Sequence, residues 1–119
     1  MKCESEMTRA LCAELRKYNA VCYVISGGSE YMRPGLPDRF LSHKWLPGGC
    51  WLEFKAGNNQ CSQAQKWVIG EMAERGTNVF VCRHKVQLED RDGNQLAPWD
   101  GTAGDLLEKL KGLMKNGTP

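Results

Sequence analysis

The sequence predicts an α/β domain, a central mixed β-sheet flanked by α-helices. Three observations predict it. Helix-like stretches stand at both ends of the chain and once in the middle. Short β-branched and aromatic runs lie between them, and glycine-rich breaks separate one stretch from the next. A length of 119 residues suits one domain, and 41% hydrophobic content is enough for a real core. No repeat, low-complexity tract or linker divides the chain, so residues 1–119 read as a single unit. Its core spans about 5–84, with a C-terminal extension over about 85–119.

The elements follow in order. Residues 5–18 predict a helix, with Met7, Leu11, Leu15 and Tyr18 spaced three and four apart. Residues 20–26 are β-branched and aromatic enough for a buried strand, ended by Gly27-Gly28-Ser29. Two prolines and a glycine make 31–37 a loop. A strand over about 38–45 and another over 50–55 are expected to pair as a hairpin around Pro47-Gly48-Gly49. Ser62 and Gln65 fit a capping box, so a helix runs from about 63 to 75 and stops at Gly76. Residues 78–83 give a further buried strand. A ribbon over 85–97 turns at Asp92-Gly93. The last helix covers about 102–115, with Leu106, Leu107, Leu110 and Leu113 inside and lysines outside. The order is α-β-β-β-α-β, then a C-terminal ribbon and helix.

Charge and cysteine content narrow the classes. A formal net charge of +2 permits a nucleic-acid partner without demanding one. No apolar segment follows Met1-Lys2, and no apolar run approaches the roughly 20 residues of a membrane span, so neither secretion nor a membrane is expected. The six cysteines include no CxxC pair, which removes the usual zinc spacing and weakens a redox or metal-storage reading. They read as reduced thiols of a cytoplasmic protein.

The chemistry concentrates in Trp51-Leu52-Glu53-Phe54-Lys55. Strand alternation places Trp51, Glu53 and Lys55 on one face and Leu52 and Phe54 on the other. Alone, Glu53 and Lys55 could be a structural ion pair. Asp38, at the start of the partner strand, adds a second carboxylate, and two carboxylates on adjacent strands repel unless a proton or cation joins them. Mg²⁺ or Mn²⁺ fits that role, with the Phe54 carbonyl as a third oxygen and Lys55 steadying a water or phosphate charge. Glu14 shares the apolar side of the first helix, where an unpaired charge is costly. It is a further candidate, with Glu6 as the alternative.

Gly35-Leu36-Pro37-Asp38, then fourteen residues, then Glu53-Phe54-Lys55, resembles the PD-(D/E)xK nuclease signature. With Ser62-Gln63-Ala64-Gln65-Lys66-Trp67 and the strand after Gly76, the stretch from about Glu14 to Arg83 resembles the VRR-Nuc family, including its compact phage members. The resemblance implies a restriction-endonuclease-like core and a divalent-metal-dependent endonuclease. Asp38, Glu53, Lys55, Gln65 and Glu14 would form its site, with Asp38 and Glu53 on the metal, the Phe54 carbonyl beside them and Glu14 near it. It further implies DNA as substrate, 5′-phosphate products and a bacterial cytoplasmic setting. Stand-alone members act as homodimers on branched DNA in the manner of Holliday-junction resolvases, since paired nicks need two sites. The alternatives are a nicking or flap nuclease recruited by a partner, or a silent DNA-binding module on the same fold.

Arg33, Arg39, Lys44, Lys66 and Arg83 are the candidate phosphate contacts, Arg33 leading into the site. Asp90-Arg91-Asp92-Gly93 resembles the start of a calcium loop but lacks its later Glu, so a turn is expected. Trp45, Trp51, Trp67 and Trp99 are read as packing residues.

Overall fold

The computed structural model describes residues 4–25, 35–83 and 87–115. Three helices, α1 (Glu4–Lys17), α2 (Gln63–Glu74) and α3 (Ala103–Lys115), enclose a six-stranded sheet. Its strands are β1 (Val21–Val24), β2 (Arg39–His43), β3 (Leu46–Lys55), β4 (Val79–Arg83), β5 (Gln87–Glu89) and β6 (Gln95–Pro98), in spatial order β1-β2-β3-β4-β5-β6. Every neighbouring pair is antiparallel except β3 and β4, which run parallel because α2 carries the chain across between them. The mixed α/β sheet is thus as the sequence implies.

The sheet has two differently covered faces. On one, Leu41, Cys50, Leu52, Phe54, Phe80, Cys82 and Leu88 meet Leu11 and Leu15 of α1 and Leu106, Leu107 and Leu110 of α3. On the other, Trp51, Val79 and Val81 meet Ile69, Met72 and Ala73 of α2. Alternation along β3 assigns its residues to these two layers in turn. Across the α2 side Phe40 meets Trp51 edge-on at 5.2 Å between ring centroids. Cys12, Cys22, Cys50, Cys61 and Cys82 carry free thiols. Among the described residues no helix is long and apolar enough to cross a membrane.

Three expectations are corrected. The hairpin between β2 and β3 turns at Lys44-Trp45, because His43 pairs with Leu46. Pro47-Gly48-Gly49 lies inside β3 as an irregularity: the register moves from Leu41↔Cys50 to His43↔Leu46, and Gly48 and Gly49 take positive φ of 78° and 69° to absorb the extra residues. The turn is held by His43, whose Nδ1 accepts the Trp45 N–H at 3.0 Å while Nε2 meets the Tyr18 carbonyl at 2.8 Å. The ribbon after residue 84 is no appendage, since β5 pairs with β4 and β6 with β5 in the same sheet. Its turn falls one residue earlier than expected, at Arg91-Asp92: the Gly93 N–H donates to the Asp90 carbonyl, and Asp90 Oδ1 accepts the N–H groups of Asp92 and Asn94.

Helix α1 packs on a different stripe from the one expected. Thr8, Leu11 and Leu15 are buried, whereas Glu14 and Tyr18 are exposed. The helix has rolled toward Thr8, whose small side chain costs little to bury, and has left the carboxylate in water. Gly27-Gly28-Ser29 and Arg33 lie outside the described residues, as does His84-Lys85.

Candidate active site

The site forms where β2 begins and β3 ends. Arg39 pairs with Leu52, so Asp38 stands opposite Glu53 on the α2 side of the sheet. The Asp38 N–H donates to Glu53 Oε1 at 3.1 Å, and Lys55 Nζ lies 3.4 Å from Glu53 Oε2. Glu53 is only 3% exposed. Burial first, and the charge of Asp38 second, push its carboxyl up to about 7 against the opposing pull of Lys55.

The backbone contributes as well. Ile25 N–H donates to the Asp38 carbonyl and Trp51 N–H to that of Asn78. Those bonds fix which way each peptide group points, and alternation from Leu52 turns the Phe54 carbonyl toward the β2 side of β3, where Asp38 lies. Two carboxylates thus face each other, and the Phe54 carbonyl is directed to the same side of β3. Among the described residues no group of three or more His, Cys, Asp or Glu side chains converges on a metal position. Such a donor set suits a hard divalent cation that retains several waters, and does not suit a zinc cage.

Gln65 has two roles at once. Its backbone N–H donates to Ser62 Oγ at 3.1 Å and its Oε1 accepts the Ser62 N–H at 2.8 Å, completing the capping box. The other end of the same amide, Nε2, donates to Glu53 Oε2 at 3.0 Å. The first turn of α2 and the carboxylate are therefore joined through one side chain. Gly35 makes the same junction from the loop side. Its φ is +93°, and a Cβ there would stand 2.4 Å from the Ala64 carbonyl oxygen, so only glycine fits.

The remaining candidates separate. Glu14 is exposed, and its expected place on the buried stripe of α1 is taken by other residues; Glu6 is exposed too. Arg39 is beside the site: its Nη1 donates to the Asp38 carbonyl at 3.0 Å and lies 3.9 Å from Asp38 Oδ2. Lys44 is exposed but sits in the turn at the other end of the hairpin from the site, six residues or roughly 20 Å along β2 from Asp38. Lys66 is half-buried on α2, one residue beyond Gln65.

Arg83 is committed to the protein itself. Its Nε donates to Glu89 Oε2 at 3.1 Å, Nη1 to the Gly57 carbonyl at 2.7 Å and Nη2 to that of Asn59 at 2.8 Å. Each nitrogen of the guanidinium already holds one partner, so Arg83 braces the loop after Lys55 and keeps only two of its five N–H groups for any other contact.

One arrangement was missed in the sequence. Arg91, from the β5–β6 turn, lies across Gly70 of α2, so closely that a Cβ on Gly70 would fall 1.4 Å from its Nη1. The signal was a glycine inside a helix, which marks close approach by another group. Its partner could not be read, being twenty-one residues away.

No family model matches the chain, and no curated protein is significantly similar to it. The chemistry of the site is therefore read from its own geometry.

Proposed function

We propose that the protein is a divalent-metal-dependent nuclease that hydrolyses DNA phosphodiester bonds. More particularly, we propose an endonuclease selective for branched DNA that acts as a homodimer. The observation that supports this most is the facing pair Asp38 and Glu53 with the ammonium of Lys55 beside it. A bound Mg²⁺ or Mn²⁺ supplies a Lewis acid for the phosphate and lowers the pKa of a water.

The chain's own groups do the rest. Asp38, Glu53 and the Phe54 carbonyl would hold the ion. Gln65 and the Asp38 N–H fix the Glu53 carboxylate through both oxygens, so that it is oriented before substrate arrives. Lys55, whose side chain is only 14% exposed, places a positive charge where a water must lose its proton and a phosphate gains charge. One chain offers one such site, and paired nicks across a symmetric junction require two copies, which supports the dimer.

Incubation with linear, flap and four-way-junction DNA in Mg²⁺, Mn²⁺ or EDTA tests the proposal. Cleavage is expected only with metal, is lost in Lys55→Ala, and falls as symmetric paired nicks on the junction. A folded, metal-loaded protein that cuts none of the three substrates overturns the nuclease reading. Cutting of flaps alone overturns the junction version.

A further inference from the structure

Helix α2 has two sides with opposite characters. Gln65, Ile69 and Met72 face the sheet and the carboxylate, whereas Lys66, Trp67 and Gly70 share the opposite side. Trp67 is 56% exposed, an unusual state for so large an aromatic group. Beside it Arg91 lies over Gly70, with Nη1 3.4 Å from the Lys66 carbonyl and Nε 3.6 Å from Asp92. Gln63, Lys66, Trp67, Arg91 and Asp92 together border an open groove of about 610 Å³.

The composition of this groove selects an occupant. Two cations against one carboxylate leave it positive, which favours an anionic chain. An exposed indole bordering the same groove offers a flat surface to an aromatic base. Glycine inside α2 costs about 1 kcal/mol of helix stability relative to alanine, yet here it gives Arg91 a fixed seat beside the indole. A ring that stacks any base, with cations for the phosphates, is the combination by which proteins hold single-stranded nucleic acid. The groove and Glu53 lie on opposite sides of α2. Trp67 is two residues from Gln65 on the other side of the same helix, about 10–12 Å across, a span that a few nucleotides bridge.

We infer that Trp67, Lys66 and Arg91 form a shelf for single-stranded DNA, with one unpaired base stacked on Trp67 and its flanking phosphates on the two cations. The choice of DNA as ligand rests on the nuclease reading. It deepens that reading by naming the feature recognised: an unpaired segment next to the bond cut, as at a junction or flap.

The test measures binding apart from cleavage. Glu53→Gln protein in EDTA is titrated into a fluorescein-labelled twelve-nucleotide oligo(dT), and separately into a blunt duplex of the same length, with anisotropy as the readout. Trp67→Ala is expected to weaken oligo(dT) binding about 5- to 100-fold, Trp67→Phe to keep most of the affinity, and the duplex to be less affected. Lys66→Gln is expected to reduce the slope of log K against log salt by about 0.7, the contribution of one phosphate contact on a single strand. Unchanged oligo(dT) binding in Trp67→Ala overturns the shelf. Equal losses on oligo and duplex overturn base stacking, and a shift from dimer to monomer in sedimentation would assign Trp67 to self-association instead. Trp67-dependent binding by a protein that never cleaves DNA sinks the nuclease and leaves the shelf. Intact cleavage with unaltered binding in Trp67→Ala does the reverse.

Discussion

Glu53 holds its proton more tightly in the folded protein than in the unfolded chain, with a pKa raised from 4.5 to about 7. A raised carboxyl pKa adds stability at low pH: the contribution is complete below about 4.5 and is lost as pH rises to about 7. The difference corresponds to about 3 kcal/mol for this buried group. Urea unfolding of the metal-free protein is therefore expected to show stability falling over that window, and Glu53→Gln to remove most of the fall. A flat profile in the parent protein would contradict the burial assigned to this carboxyl. Gln65 offers a second separation at this scale. Ser62→Ala removes the Oγ acceptor and is expected to cost about 1 kcal/mol with cleavage little changed. Gln65→Ala also strips a donor from Glu53 and is expected to lower cleavage by roughly tenfold or more. Equal loss of activity in both variants would reduce Gln65 to a helix cap.

Among the elements, the loop after β3 depends on β4 and β5 through Arg83. Arg83→Ala leaves Glu89, 3% exposed, with a buried charge and frees the Gly57 and Asn59 carbonyls. Breaking such a pair costs about 3–5 kcal/mol. The expected outcome is a large drop in thermal stability, where loss of a surface phosphate contact would leave stability unchanged and alter only salt dependence. The elements legible in the sequence were those with a strong local signal. The Ser62–Gln65 cap fixed the start of α2, and Asp92-Gly93 marked the turn of the ribbon to within one residue. Elements decided by distant partners were not. Pro47-Gly48-Gly49 reads locally as a turn, but pairing of His43 with Leu46 moves the turn to Lys44-Trp45. The roll of α1 that exposes Glu14 depends on how the sheet receives Thr8 and Leu11, which periodicity cannot report to within one position. At the site, Glu53 and Lys55 followed from alternation alone, whereas Asp38 needed a register that only the hairpin supplies.

At the scale of the whole molecule, the C-terminal third is part of the core. Leu106, Leu107 and Leu110 of α3 are fully buried with Phe54 and Phe80, and β5 covers the edge of β4. A chain ending at residue 86 would expose that face together with the open edge of β4. Such a fragment is expected to lack near-ultraviolet circular dichroism and to aggregate. A fragment that folds and retains cleavage would restore the view of residues after 84 as an accessory.

Gly35 carries a consequence for the order in which the molecule forms. Asp38 and Glu53 are joined by a local hairpin, but Gly35 meets Ala64 across twenty-nine residues and only after α2 has docked. That contact therefore belongs late on the folding route. Gly35→Ala, strained by a positive φ and by a clash with backbone, should speed unfolding and leave the refolding rate nearly unaltered in a denaturant chevron. The time over which the assembled site persists, rather than the speed with which it forms, is what this glycine governs.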